Sequence, residues 1–252
     1  MVKSFTRITY YVRSRHVSEK KKLCLLVTGA TRIPPERIIE CIQEFKRAFE
    51  WANPDIWYFT WKTSSEAEKQ IEPHVTRFFA PEMSPTQEDL DKLGVTQVKQ
   101  LNAQAEHRIC RISHYAMVYG MDYLLKKIRE SGQEYEYACR IRNDLHFEIA
   151  PEARTSTWAD LVVTDSKAYV TPGILWAACD GISDHVGFGL FETLENIWKY
   201  EPGEFNRIIS ESWNFELYVR TMTTMHGYVH RAVPVVRYVI RRSSPEQDWN
   251  IK

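Results

Sequence analysis

The chain has 252 residues, 44% hydrophobic and 26% charged, the composition of a globular protein with room for a substantial core. Its 33 basic and 33 acidic residues cancel, so no global field draws it to nucleic acid. No apolar run approaches the roughly 20 residues that span a bilayer, and no apolar segment follows the first charges as a secretion signal would require.

Residues 1–22 are locally basic, with Lys3, Arg7, Arg13, Arg15, Lys20, Lys21 and Lys22 against Glu19. They read as a solvated leader, expected to be mobile, that can touch an anionic membrane surface. Leu23 to Thr28 (LCLLVT) is a continuous apolar run, the pattern of a strand buried on both faces, and Gly29 ends it. Pro34-Pro35-Glu36 opens a helix in which Ile38, Cys41, Ile42, Phe45 and Phe49 recur at three- and four-residue spacing. Asn53-Pro54-Asp55 is a turn before an aromatic strand, Ile56 to Trp61. Strand, helix, strand implies a parallel pair with a right-handed crossover.

Residues 62–100 are polar and broken by Pro73, Pro81 and Pro85, so short or irregular elements are expected. A long helix is expected over about Ala103 to Glu130, with Ile109, Ile112, Ala116, Tyr119, Leu124 and Ile128 on its inner stripe. Tyr135 to Glu148 (YEYACRIRNDLHFE) then carries a strand that ends on Asn143-Asp144. Leu161–Thr164 and Ala168–Thr171 flank Asp165-Ser166-Lys167 and predict a hairpin. Phe188, Phe191, Leu194 and Trp198 predict a helix, Trp213 to Thr223 another, and Ala232 to Ile240 a closing strand with Pro234 near an edge or start. One α/β domain over residues 23–252 is the simplest account.

The five cysteines, Cys24, Cys41, Cys110, Cys139 and Cys179, are scattered and odd in number. They read as buried thiols in a reducing compartment, so a cytoplasmic location is expected; the lack of a CxxC pair argues against structural zinc.

Open α/β sheets bind ligands beyond the carboxyl ends of their strands. Gly29 and Arg32 lie in the first such loop, where glycine lets a backbone approach a nucleotide and arginine can grip phosphate, although a plain turn with a solvated arginine accounts for them as well. Asp144 lies at the end of the strand carried by Tyr135–Glu148, and a hard carboxylate oxygen there suits Mg²⁺ or Mn²⁺ on a diphosphate; a capping turn aspartate is the plainer alternative. Arg140 and Arg142 share the strand face opposite Tyr137, Cys139 and Ile141 and need an anionic partner, either Asp144 or a phosphate. Asp180 to Gly189 (DGISDHVGFG) is a polar loop in which Asp184 and His185 can bind an acceptor hydroxyl or act as base, or simply cap the next helix. Glu211 and Glu216 flank Trp213, a pattern suited to sugar hydroxyls and stacking, although a core tryptophan with solvated neighbours is the plainer account of each. His226 and His230 precede the last strand and read as surface histidines, with completion of a metal site as the alternative. VTGAT with Tyr123 and Lys127 evokes a short-chain dehydrogenase, but Arg32-Ile33-Pro34 occupies the place where further glycines would cradle a pyrophosphate.

Together these pieces resemble glycosyltransferases of the GT-A type, near the WavE-like lipopolysaccharide- and capsule-synthesis group of bacteria and large viruses. The resemblance rests on the order of elements: Leu23 to the Gly29-x-x-Arg32 loop, Asp55 to Thr60-Trp61, the Arg140-x-Arg142-x-Asp144-Leu145 strand with Tyr137, the Asp184–Gly189 loop, a Glu216-bearing helix, and Ile240-Arg241-Arg242. It implies a GT-A (Rossmann-like) α/β/α sandwich with a central mixed, mostly parallel sheet. It implies transfer of a hexosyl or deoxyhexosyl group from a nucleotide-diphosphate sugar to a glycan or glycolipid hydroxyl in polysaccharide biosynthesis, assisted by Mn²⁺ or Mg²⁺. Under it Asp144 holds the metal; Gly29, Arg32, Trp61, Arg140 and Arg142 hold the donor; Asp184 is catalytic; His185 and Glu216 meet the acceptor. Position 142 is arginine, so the family's usual Asp-x-Asp is reduced to one acid. A non-catalytic nucleotide-sugar-binding module is the competing reading.

Overall fold

The computed structural model describes residues 23–30, 32–62, 64–81, 88, 106–149, 154–172, 182–211, 215–233, 235–240 and 249–250. Strand β1 (Leu23–Thr28) is followed by α1 (Pro35–Ala48), β2 (Asp55–Phe59), α2 (Ser65–Ile71) and β3 (Arg77–Phe79). Then come α3 (Glu106–Ser131), β4 (Tyr137–Arg142), β5 (Leu145–Ile149), α4 (Thr155–Thr164), β6 (Ala168–Pro172) and β7 (Val186–Leu190). The described chain ends with α5 (Phe191–Trp198), α6 (Pro202–Glu211), α7 (Phe215–Met225), β8 (Val229–Val233), β9 (Val235–Ile240) and β10 (Trp249–Asn250).

The central sheet has seven strands in the order β3-β2-β1-β4-β7-β6-β8. Strands β3, β2, β1 and β4 are mutually parallel, β7 is antiparallel to both neighbours, and β8 is parallel to β6. A second sheet, β10-β9-β5, is antiparallel throughout. The turn Asn143-Asp144 joins β4 of one sheet to β5 of the other, so it stands where the two sheets meet.

Alternation along the strands shows that the large sheet is covered on both faces. Leu23, Leu25 and Val27 of β1, Ile56 and Tyr58 of β2, and Tyr137, Cys139 and Ile141 of β4 pack in one core with Ile38, Cys41, Ile42 and Phe45 of α1 and Trp158, Ala159 and Val162 of α4. Cys24, Leu26, Trp57, Phe59 and Ala138 point the other way, against α3, α5, α6 and α7. With a period of two, each strand must be apolar at every position to serve both layers, which is why LCLLVT reads as an unbroken run. The fold is thus an α/β/α sandwich on a mixed, mostly parallel sheet.

Helix α1 begins where proline is tolerated, with Glu36 in its first turn and Lys46 and Arg47 in its last, as the helix dipole favours. The inner stripe of α3 is Tyr115, Val118, Met121, Leu124, Leu125 and Ile128. Ala116 and Tyr119 of the predicted stripe are only partly buried, and the side chains of Ile109 and Ile112 lie outside the described residues.

Three expectations are corrected. Leu161–Thr164 is the end of helix α4, not a hairpin arm: Trp158, Ala159 and Val162 fall on one helical face and are buried, while Leu161 and Val163 are exposed. Phe188 belongs to β7, so the Asp184 loop enters a strand first and the helix starts at Phe191. The run Ala232–Ile240 is two strands, β8 in the large sheet and β9 in the small one. Residues 1–22, Asp180, Gly181, Trp213, Pro234, Arg241 and Arg242 lie outside the described residues, as does the side chain of Glu211. Among the described residues no helix is long and apolar enough to cross a membrane.

Candidate functional site

The carboxyl ends of the parallel strands β1, β2 and β4 form one edge, with Thr28 level with Phe59 and with Arg142. Strand β7 runs the other way, and Val186 pairs with Ile141. The residues that lead into β7, Asp184 and His185, therefore arrive at the same edge.

Asn143 organises this edge. Its backbone N–H donates to Thr28 O at 3.2 Å, and its side-chain amide donates to Ala30 O at 3.3 Å and to the Tyr58 hydroxyl at 2.9 Å. It is 2% exposed and ties the ends of β1, β2 and β4 together. A Cβ on Gly29 would lie 2.1 Å from Asn143 Oδ1, so glycine is required there by close approach. Arg32 is exposed, on the far side of the Ala30 turn.

Arg142 and Asp144 form a bidentate pair: Arg142 Nε donates to Asp144 Oδ1 at 2.9 Å and Arg142 Nη2 to Oδ2 at 2.7 Å. The Arg142 main chain is fixed too, its N–H donating to His185 O at 3.0 Å and its carbonyl accepting from Cys41 Sγ at 3.5 Å.

Arg140 points into the layer of helices. It is fully buried, with its guanidinium 4.5 Å from the Trp198 ring centroid and Nη2 3.5 Å from Met117 Sδ. Trp61 is likewise in the core, 6% exposed and stacked on Tyr119 at 5.2 Å.

Asp184 and His185 are buried neighbours, with Asp184 Oδ1 3.2 Å from His185 Nε2. Burial works against the Asp184 charge, but His185 and His114 when protonated, and Arg140 and Arg142 throughout, favour it and hold the carboxyl below its ordinary value. Burial pushes the His185 imidazole down to about 4, with Arg142 and Arg140 reinforcing that against Asp184, so the ring is neutral at pH 7. Glu216 sits in the first turn of α7, and its carbonyl accepts from Ile182 N at 3.1 Å, which brings α7 beside the Asp184 segment. Burial and then the Asp184 charge push the Glu216 carboxyl up to about 7, with Arg142 opposing. The edge thus carries the Arg142–Asp144 pair, the Asp184 carboxyl, the Glu216 carboxyl poised near neutrality and a neutral imidazole, with Arg140 buried beneath them.

His114 of α3, stacked on Phe215 at 4.8 Å, and Asn143 were not singled out in the sequence. A polar residue directly after a strand that faces a glycine loop is the signal that could have flagged Asn143. His226 is exposed, and His230 shares a hydrogen bond with Thr171 Oγ1 at 2.6 Å in the β8–β6 ladder. Tyr123 and Lys127 lie together on the surface of α3: the ammonium is 5.5 Å from the ring centroid and pairs with Glu130 at 2.6 Å.

The described residues do not fit a preformed metal site. Both oxygens of Asp144 are taken by Arg142, and among the described residues no group of three His, Cys, Asp or Glu side chains can hold an ion. A cavity of about 490 Å³ opens at the opposite edge, lined by Leu23, Ala52, Asn53, Asp55 and Gly132–Tyr135. Its size does not make it the site, because the convergent charged groups lie at the carboxyl edge, where sheets of this kind bind ligands.

No family model matches the chain, and no curated protein does. Several solved structures align with it at low similarity. Mouse xyloside xylosyltransferase 1 aligns at 10% identity and a TM-score of 0.43 to 0.45 brackets it with two others; its own score is 0.44, over 84% of this chain and 85% of that one. Core-mannan synthase A of Aspergillus fumigatus, in an Mn/GDP form, aligns at 10% identity and TM-score 0.41, over 89% and 76%. CMP:2-keto-3-deoxy-manno-octonic acid synthetase, complexed with CTP, aligns at 10% identity and TM-score 0.45, over 91% and 95%. Likenesses of this degree assign no role to any residue of this chain.

Proposed function

We propose that the chain is a GT-A-type glycosyltransferase that moves a sugar from a nucleotide-diphosphate sugar to a hydroxyl acceptor of glycan or glycolipid type. The observation that carries this reading is the meeting of Arg142–Asp144 with Asp184–His185 at the carboxyl edge of the parallel strands. Arginine at a strand edge suits a diphosphate, because its planar fork matches phosphate oxygens. The Gly29–Ala30 loop, held by Asn143, is where the nucleotide would approach the backbone. Arg32, exposed beyond that loop, can add a phosphate contact.

Asp184 is the group for the acceptor. It is held ionised, so it can accept the hydrogen of an attacking hydroxyl, and an inverting transfer would use it as base. Glu216, protonated up to about pH 7, can donate a hydrogen bond to a sugar oxygen, and His185 orients Asp184 from 3.2 Å. Arg140 acts through the field it places on Asp184, from beneath the site. The Mn²⁺ or Mg²⁺ that the resemblance calls for has no step in this scheme, since the donor set around Asp144 does not fit it.

The test is a panel of nucleotide sugars mixed with the protein and candidate glycan acceptors, followed for release of nucleoside diphosphate. Release with at least one donor, lost in Asp184→Asn, supports the transferase. Nucleotide binding without release under any condition favours the non-catalytic binding module.

A further inference from the structure

We propose that the Arg142 guanidinium, braced by Asp144, is itself the diphosphate-binding group, and that nucleotide binding at this edge needs no preloaded divalent cation. This rests on the reading of the edge as a nucleotide-sugar site and goes beyond it by naming what meets the phosphate charge.

The pair is built for holding an arginine in place. Two parallel hydrogen bonds of 2.9 and 2.7 Å fix the plane of the guanidinium. The side chains remain 24% and 15% exposed, so the pair is reachable from solvent. The main chain on either side is tied to His185, Cys41 and Thr28, which leaves the strand end little freedom. A guanidinium oriented by a carboxylate keeps its positive charge and its planar shape, which is what a phosphate recognises. Ordering a long side chain before the ligand arrives lowers the entropy lost on binding.

The same geometry works against a resident cation. A cation at Asp144 would have to displace a charge-assisted bidentate pair. Mg²⁺ and Mn²⁺ want about six oxygen ligands, and among the described residues no group of three acids or imidazoles gathers there. Arg142 supplies a positive charge at the edge where phosphate charge must be met.

The experiment titrates the full chain with UDP, GDP, ADP, CDP and dTDP by calorimetry, once in EDTA and once in Mn²⁺. At least one nucleotide is expected to bind in EDTA with a Kd within about threefold of its value in Mn²⁺. Arg142→Gln should weaken that binding about thirtyfold in both buffers, as loss of a charge-assisted contact implies. Arg142→Lys should restore part of it, because charge returns without the fork. Asp144→Asn should weaken it in both buffers alike. Binding seen solely in Mn²⁺ and abolished by Asp144→Asn overturns the proposal while leaving the nucleotide-sugar reading standing. No binding of any nucleotide in either buffer overturns both. If the Arg142 variants fail to fold, the comparison of EDTA with Mn²⁺ on the unaltered protein still decides.

Discussion

The side-chain amide of Asn143 occupies the space that any side chain on Gly29 would need, the two positions being separated by 114 residues and joined by the pairing of β1 with β4. Neither residue is charged. Each fixes the other's permitted identity, and between them they set how close the first loop lies to the end of β4. Gly29→Ala is therefore expected to destabilise the fold by about 1–3 kcal/mol, because Asn143 must give up its bonds to Tyr58 and Ala30 to make room. In an Asn143→Ala background the same change should cost much less. Chemical denaturation of the four proteins gives the coupling; additive losses would refute the contact.

Two groups of the site should pull stability in opposite directions with pH. His185 has a folded-state value of about 4 against an ordinary 6.5, so the unfolded chain takes up the proton first and stability falls as pH drops from 6.5 toward 4. That difference corresponds to roughly 3 kcal/mol when fully expressed. Glu216 has a folded-state value of about 7 against an ordinary 4.5, so its contribution is present below 4.5 and is lost as pH rises toward 7. Between pH 4.5 and 6.5 the two slopes oppose each other. His185→Gln should leave a stability that declines with rising pH through this window, and Glu216→Gln one that increases. Thermal melts across the window check both signs, and two unchanged profiles would remove both residues from the buried cluster.

Asp184→Asn keeps size and hydrogen-bonding reach but removes the charge. Turnover of a nucleotide sugar should fall by about 10²–10⁴, the usual range for a lost general base, while nucleoside diphosphate binding changes by only a few fold. Kinetics alongside calorimetry separate these effects. Equal losses in both would move Asp184 to the donor.

At the opposite edge of the sheet, Tyr135 donates to Asp55 Oδ2 at 2.6 Å and accepts from Trp57 Nε1 at 3.0 Å. Tyr135→Phe should cost about 1–3 kcal/mol in stability, since it leaves a part-buried indole donor and a carboxylate without that hydroxyl. Nucleotide binding should be untouched. A large loss of binding would shift the site to the cavity beside Tyr135.

Much of the frame is legible in the chain because burial on two faces writes itself as continuous apolar runs. LCLLVT reads as β1 with its bounds intact, and the aromatic run before Trp61 reads as β2, ending two residues earlier than expected. Leu161–Thr164 misleads because valines favour strands, whereas the decisive pattern is the helical spacing of Trp158, Ala159 and Val162. The break at position 234 is hidden because two strands in different sheets are each apolar and adjoin. Among site residues, Asp184, His185 and Glu216 could be picked from loop chemistry and helix starts, and Asp144 from its strand end. That Arg142 grips Asp144, or that Arg140 faces Trp198, depends on how the β4–β5 turn rotates side chains, which spacing alone does not encode.

Strand β7 runs against both of its neighbours, so Asp184 and His185 are set by where a strand begins rather than where one ends. Their position is governed by the pairing of Val186 with Ile141. Changes elsewhere in the chain that keep the Val186–Ile141 register are then expected to leave both side chains where they are. A slip of that register by one residue would instead turn every side chain of β7 to the opposite face of the sheet, and the acid with it.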